Sequence, residues 1–335
     1  MTAIRTCKQL MDEFPWKNLQ CANTRLPIIL PRGDTHDVYN ITSPFFYRGC
    51  QFLLGRVERR EEEDSDIVFF KEKMGEWIPD ERFKPLSHLQ DPFYTFIDGY
   101  LILGGVQTYL EESGKLSYQT VFLRETEPFK FEQFAHGPDR MKDIRLLELP
   151  DRRILVITRL QGKIGGRGKI GWTILDSLKE LKPQVLSSTQ VFEDQFIKEE
   201  WGGVNQLHLL RNGKVGVLSH IANFDEKGNR HYYSTCFLLD PQNGMHSPMK
   251  IIAIRRNFEA GESKRPDLQD VVFTGGLVRV GNGTARLYCG VGDAEAHCIP
   301  ILDPFFKWEN TSYGVAGNAN SSEVVHTRDS IRCHG

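Results

Sequence analysis

Five times along this 335-residue chain the same layout recurs: a polar residue, a short apolar strand, a tight turn, a second apolar strand, then a third. The first copy runs from Asp37 through VYNITSPFF, a turn at Tyr47-Arg48-Gly49, and QFLLGRVE. The second is Asp91-PFYTF, Asp98-Gly99, YLILGGVQ; the third is Asp143-IRLLEL, a turn at Pro150 to Arg152, RILVITRLQ. The fourth is Asn205-QLHLL, Asn212-Gly213, KVGVLSHIA, and the fifth is Asp270-VVFTGGLVRV, Asn282-Gly283, ARLYCGVGD. Third strands follow as SDIVFFKEK, YQTVFLRET, KIGWTILD, YYSTCFLLD and HCIPILD. Asp-Gly and Asn-Gly suit two-residue hairpins because both positions tolerate positive φ.

Successive polar anchors stand 54, 52, 62 and 65 residues apart. That spacing fits a four-stranded antiparallel blade and is too long for a leucine-rich or ankyrin unit. Helical periodicity is weak outside residues 7–20. A blade cannot bury both faces alone, so blades stack around an axis. The expected fold is all-β: one five-bladed β-propeller over residues 37–308, a lead-in over 1–36 that could close the ring with a strand, and a polar, mobile tail over 309–335.

Composition bounds the partners. Charged residues make up 26% and the net charge is −2, which gives no reason to expect nucleic acid or an anionic membrane. No apolar run approaches the ~20 residues of a membrane span, and the N-terminal residues do not read as a secretory signal. The seven scattered cysteines form no CxxC pair. Cys50, Cys236 and Cys289 sit in apolar runs, where buried free thiols are expected. These features point to a reducing, cytoplasmic setting, in which the sequons at Asn40, Asn282, Asn310 and Asn320 go unused.

If inner strands start at one mouth of the axis, their polar anchors converge there. Each Asp or Asn could instead cap a turn before its strand. Five in register, with polar neighbours, favour a shared funnel. The candidate ligand-binding residues are Asp37, Asn40, Arg56, Glu58, Gln90, Asp91, Asp143, Trp201, Asn205, His220, Asp270 and Asp293. Such a density of polar groups is costly unless a ligand or water satisfies it. Carboxylates and amides suit sugar hydroxyls, and aromatic faces such as Trp201, Tyr94 and Tyr233 suit the C–H face of a pyranose.

A cationic set, Lys142, Arg145, Arg159, Lys264 and Arg265, could cradle a phosphate. The alternative is plain ion pairing, as in Lys142-Asp143 or Arg265-Asp267. GKIGGRGKIG (162–171) looks like a phosphate loop but lacks the strand-to-helix context and a terminal GK[ST]. It reads better as a flexible loop over the funnel mouth. His208, His220 and His297 show no i, i+2 or i, i+4 pairing, so no metal site and no cofactor is expected.

At these residues the chain resembles the inverting β-mannoside phosphorylases and the related β-1,2-mannosyltransferase/phosphorylases, which are five-bladed propellers. The resemblance spans roughly residues 35–305 by motif order. "RVE" at Arg56 to Glu58, followed by Ser65, looks like the family's first-blade signature. "QDPF" at Gln90 to Phe93 is similar to its Glu-Asp-Pro-Arg motif, whose Asp is the general acid. "GGLVRVGNGTARLYCGVGD" resembles its last-blade motif, whose closing Asp, here Asp293, contacts sugar hydroxyls. Gln90 and Phe93 depart from the family's Glu and Arg. "MKDIRL", "TRLQG", "WGGVNQ" and "KRPDLQDVVFTGG" are closer still to one branch, several members of which have no established activity.

The resemblance implies a protonated Asp91 donating towards the glycosidic oxygen, directly or through a mannose hydroxyl, while phosphate attacks the anomeric carbon from the opposite face. The partners would be a mannose-containing oligosaccharide with phosphate or a sugar phosphate. Two alternatives stand beside it: an inverting hydrolase using carboxylates such as Asp37, Asp91 and Asp143, and a non-catalytic carbohydrate-binding propeller.

Overall fold

The structure, a computed structural model, describes residues 4–15 and 22–310. Expectations for the tail from residue 311 onward, and for Asn320, fall outside them. The described chain is all-β and almost wholly antiparallel, with only short helices.

The first repeat folds as Asp37–Tyr39, Cys50–Glu58, Ser65–Lys73 and Glu76–Pro79, hydrogen-bonded in that order. The second places Leu89–Ile97, Tyr100–Leu110, Leu116–Glu127 and Lys130–His136 side by side. The third does the same with Arg145–Glu148, Ile154–Gln161, Gly166–Leu175 and Gln190–Val191. The last two repeats share one seven-stranded sheet. Trp201–Leu209, Val215–Phe224 and Arg230–Leu239 form one antiparallel run; Asp270–Arg279, Thr284–Val291 and Glu295–Leu302 form the other. A short parallel pairing, His231 with Asp270 and Tyr232 with Val271, joins them.

The hairpin chemistry read from sequence is seen in the backbone. Asp98 and Gly99 take φ of 53° and 77°, and Arg48 and Gly49 take 46° and 74°. Both residues of each turn are left-handed, matching the twist of the flanking strands.

The apolar core lies between consecutive repeats. Phe52 and Phe69 pack with Leu89, Leu103 and Phe131 from the second repeat. Phe93 and Phe122 pack with Ile144 and Val156 from the third. Two further clusters join the third to the fourth and the fourth to the fifth. A fifth unites Ile41, Leu53, Phe70 and Trp77 with Tyr288 and Ala296, bringing the chain's first and last repeats together. Residues 24–29 reinforce that junction. Cys298 N–H donates to the Thr24 carbonyl and Leu26 N–H to the Ala296 carbonyl, while on the opposite edge Ile29 N–H donates to the Trp77 carbonyl and Trp77 N–H to the Pro27 carbonyl. Truncating a fully buried Leu or Phe in any cluster to Ala should cost about 2–5 kcal/mol.

Two composition-based assignments differ from the structure. Glu309 and Asn310 belong to the helix Phe306–Asn310 rather than to a loose tail, because Glu309 pairs with Arg279 and caps the Arg211 amide. Cys236 and Cys289 are buried free thiols, while Cys50 is half-buried.

Candidate active site

Asn40, Asp91 and Asp143 adopt left-handed backbone, with φ of 43°, 49° and 61°. Asn and Asp tolerate that region better than bulkier residues do. In the second repeat the ladder shifts between Gln90 and Phe93, so that Asp91 and Pro92 oppose Gly105 alone. The bulge turns the carboxylate inward. In the first repeat Tyr39 pairs with Arg56 and Thr42 N–H bonds Leu54, leaving Asn40 and Ile41 opposite Gly55. Asn40 is therefore the first repeat's counterpart of Asp91, not Asp37.

These turns open on a cavity of about 370 Å³. Asn40, Arg56, Gln90, Asp91, Lys142, Asp143, Arg159, Trp201, His220, Lys264, Arg265 and Asp293 all line it. Twelve residues singled out from sequence thus share one chamber, although they come from all five repeats. Glu58 and Asn205 lie directly behind the wall, bonded to the lining residues Arg56 and His220 respectively.

Besides Glu58 and Asn205, three expected site residues are not in the lining. Asp37 is held by Arg60 at 2.8 and 2.9 Å, three residues before the turn that aims Asn40 inward. Asp270 bonds His231 at 2.6 Å and Tyr233 at 3.2 Å, because its strand begins well before the fifth repeat's irregularity at Gly275. A β-carbon on Gly275 would lie 1.7 Å from the Ile41 carbonyl oxygen, so no anchor side chain fits there. Arg145 is buried, with Nε donating to the Asn205 carbonyl at 2.7 Å and the guanidinium 4.2 Å above Phe93. Burial lowers its pKa to about 10, and its work is to fix neighbouring backbone. Tyr94 is likewise turned away, donating to the Pro44 carbonyl.

Sequence reasoning missed Tyr39, Phe224, Arg230, Tyr232 and Phe273, which also line the cavity. Strand parity could have found most of them. His220 and Phe224 share one face of Val215–Phe224, and their neighbours across the ladder bring Arg230 and Tyr232 onto it. Choosing Tyr233 over Tyr232 is a one-residue slip that selects the wrong face.

The carboxyl groups are in different states. Burial alone would raise Asp91, yet Arg56 at 3.3 Å, Lys142 at 3.9 Å and the Asn40 amide at 2.8 Å outweigh it and hold its pKa below the usual range. These neighbours favour the ionised carboxylate, whereas the family resemblance implies a protonated Asp91 during the reaction. Asp143 faces Arg159 Nη1 at 2.9 Å; burial would raise it, but Arg159, His220 and Lys142 keep it strongly ionised. Asp293 goes the other way: burial and the neighbouring Asp91 outweigh Arg56 and raise it. Lys142 is held charged by Asp91 and Asp143 against the effect of burial.

His220 is buried, and desolvation lowers its pKa to about 3. Its Nδ1 meets the Asn205 amide at 2.9 Å, and its Nε2 lies 3.8 Å from Asp143. If Asn205 accepts from Nδ1–H, a lone pair on Nε2 faces the Asp143 carboxylate and the Asn205 amide nitrogen is stranded. Turning that amide lets it donate to Nδ1, leaving Nε2–H on the side of the Asp143 carboxylate. Five buried atoms around this part of the wall lack partners: Asn40 Oδ1, Asp143 Oδ1, Arg159 Nε, Asn205 Nδ2 and His220 Nε2. Buried polar atoms are normally satisfied, so these atoms offer hydrogen-bonding capacity that a polar ligand or water can meet. Among the described residues no group of three or more His, Cys, Asp or Glu is arranged to hold a metal ion. His208 packs on Phe305 and His297 on Thr24 and Glu295, far from any shared centre with His220.

The chain is similar to several solved structures. A mannose phosphorylase from Leishmania mexicana, in complex with phosphate ion, is 35% identical, with 88% of this chain and 92% of that chain covered and a TM-score of 0.77. A GDP-Man-dependent mannosyltransferase from the same organism is 33% identical, with 90% and 95% covered and a TM-score of 0.79. A β-1,2-mannobiose phosphorylase from Listeria innocua shares the fold at 16% identity and a TM-score of 0.57 over 86% of this chain and 96% of that one. Among curated proteins no sequence matches. Residues 23–307 match the family described as Protein of unknown function (DUF1861), and the chain belongs to that family.

Proposed function

We propose that the chain is a mannoside-active enzyme that moves a mannosyl group between a β-mannoside and phosphate, or a phosphorylated leaving group, by one inverting displacement. In this reading the five repeats are the blades of a five-bladed propeller, with the chamber at one end of its axis. The observation that carries the proposal is the wall formed by Lys142, Arg159 and His220. It holds unmet donors beside a carboxylate in a polar chamber, and relatives at 35% and 33% identity are a mannose phosphorylase and a mannosyltransferase.

Arg159 Nε, Lys142 and the His220 Nε2–H would hold the phosphate. Asp91 would serve as general acid. A phosphate dianion beside Lys142 and Arg159 offsets the cations that keep Asp91 ionised, so binding raises its proton affinity. Proton loading is thereby coupled to arrival of the nucleophile. As the phosphate oxygen bonds to the anomeric carbon, the bond from that carbon to the glycosidic oxygen breaks. Asp91 gives its proton to the departing oxygen and regains one from solvent. Gln90, Asn40 and Asp293 would orient sugar hydroxyls, and Trp201, Tyr232 and Phe224 would face the ring.

A hydrolase needs a second carboxylate free to activate water, about 6.5–9.5 Å from the acid for inversion. Asp143 is locked to Arg159, and Glu58 is occupied by Arg56, Lys264 and Tyr39. This favours phosphate over water as the nucleophile. The test is incubation with β-manno-oligosaccharides with and without phosphate. Mannose 1-phosphate formed only with phosphate is the expected result. Free mannose released without phosphate would establish the hydrolase instead, and no turnover with any mannosyl donor would leave a binding module.

A further inference from the structure

We propose that Asp293 is a second proton-carrying carboxyl of the chamber, which shares one proton with Asp91 and restores it to Asp91 after each transfer. The proposal rests on the reading of Asp91 as the general acid and supplies the route by which that acid is recharged.

Asp293 sits in the turn between Thr284–Val291 and Glu295–Leu302. Val291 pairs with Glu295, so this turn spans only residues 292–294. The matching turn of the first repeat, between Glu58 and Ser65, spans 59–64. Gly292 and Asp293 both take left-handed backbone, with φ of 63° and 51°. Gly292 N–H donates to the Val271 carbonyl at 2.9 Å, and the Gly292 carbonyl accepts from Lys264 N–H at 2.8 Å. A short turn tied down on both sides holds Asp293 in the chamber wall.

Four carboxyl groups line the chamber: Glu63, Asp91, Asp143 and Asp293. Glu63 faces Lys264 at 3.3 Å and Arg265 at 3.1 Å, and Asp143 faces Arg159 at 2.9 Å. Asp91 accepts from the Asn40 amide at 2.8 Å beside Arg56 and Lys142. Of these four, Asp293 alone makes no hydrogen bond or ion pair among the described residues. The charged and titratable groups around it are Tyr39, Arg56, Glu58, Asp91, Lys142 and Arg265, while the Lys264 ammonium turns to Glu58.

A carboxyl group deep in a protein, with neither a donor nor a cation in contact, favours its neutral form. Burial, with Asp91 and Glu58, raises Asp293 against the pull of Arg56 and Lys142, whereas those two cations hold Asp91 ionised. Two carboxyls that face the same cations and repel each other titrate as a pair with one proton between them. In the empty site that proton rests on Asp293. Phosphate beside Lys142 offsets the cation that favours ionised Asp91, and the proton passes to Asp91 through a water or a sugar hydroxyl. Once Asp91 has given it to the departing oxygen, both carboxyls are ionised and the pair takes one proton from solvent. Asp293 is half-buried and Asp91 buried, so solvent reaches the pair through Asp293.

The experiment compares the full chain with Asp293→Asn, a change the left-handed turn tolerates, as Asn40 shows at φ of 43°. Infrared titration of the empty parent should show a protonated carboxyl persisting above the ordinary aspartate pKa of about 3.9 and missing from the variant. In phosphorolysis of a β-manno-oligosaccharide, the limb of kcat/KM that falls as pH rises should move to lower pH in the variant. The loss should reach about tenfold or more on the alkaline side. With nitrophenyl β-mannoside, whose leaving group needs no proton, the variant should stay within about twofold of the parent. A loss equal at every pH and for both substrates would make Asp293 a sugar-binding group only and overturn the proposal. Identical infrared titrations with phosphorolysis intact in the parent would overturn it too, leaving the reaction standing. The infrared band in a parent without turnover would support the shared proton and overturn the reaction assigned to it.

Discussion

On the side of the chamber built by Arg56, Glu58 and Lys264, each charge is met by another. Arg56 donates to Glu58 at 2.7 and 3.0 Å, Lys264 and the Tyr39 hydroxyl close on the other Glu58 oxygen, and Glu63 lies 3.3 Å from Lys264. On the side built by Asp143, Arg159 and His220, the pairing stops short. Arg159 has one bond to Asp143 and a bare Nε, while His220 and Asp143 each keep an unused atom. Both sides are buried and both are charged. One is a finished ion-pair network that shapes the chamber, and the other keeps hydrogen-bonding atoms unmet, which on the proposed reading the ligand meets. Charge alone does not locate a binding site; unmet hydrogen-bonding capacity does.

Four changes would break or sharpen that contrast. The largest effect is expected from Asp91→Asn, which touches both sides through Arg56 and Lys142. Its kcat should fall by roughly 10²–10⁴, the range for losing a general acid. Phosphate binding by calorimetry should persist, and unchanged turnover would remove Asp91 from the chemistry.

Next comes Arg159→Met, which leaves the buried Asp143 carboxylate uncompensated and should cost about 3–5 kcal/mol of stability in denaturant melts. Adding Asp143→Asn should restore most of that stability but not phosphate affinity. If the double variant binds phosphate as the parent does, Arg159 is merely structural.

Acid sensitivity is a smaller effect with a definite sign. His220 and His208 both have their pKa values lowered to about 3 from 6.5, mainly by burial. The unfolded chain gains protons below pH 6.5 that the folded chain refuses. Stability is therefore full above that pH and falls as the pH drops towards 3, by at most about 1.4 kcal/mol per unit per histidine. Melts at pH 7 and pH 5 should show a shallower loss in His220→Gln, and equal losses would contradict the assignment.

The smallest effect is expected on the finished side. Lys264→Met leaves Glu58 still bonded to Arg56 and Tyr39, so phosphate affinity should stay within about twofold despite some loss of stability. A tenfold loss would transfer Lys264 to the anion site.

Much of this was readable in the residues. The Asp98-Gly99 hairpin needs two positive φ values, which its residue types announce, and Asp91 and Asp143 both line the chamber as the repeat suggests. The first repeat misled because Asp37 and Asn40 are both polar and only three residues apart. What separates them is which one takes the left-handed turn, a property of the bulge opposite Gly55 rather than of local composition. The fifth repeat misled for a steric reason. The Ile41 carbonyl fills the space an anchor at Gly275 would need, and Asp270, five residues earlier, is outside the lining. The cations could not be sorted from sequence either. Arg145 and Arg159 look alike there, and only tertiary packing puts one over Phe93 and the other in the chamber.

The most direct test of the central claim is a crystal structure of the protein with phosphate and mannose bound. The account expects the phosphate within hydrogen-bond distance of Arg159 Nε, Lys142 and His220 Nε2, with the sugar against Asp91 and Asp293. A phosphate seated instead between Lys264 and Arg265, with Arg159 Nε and His220 Nε2 still unpaired, would contradict it.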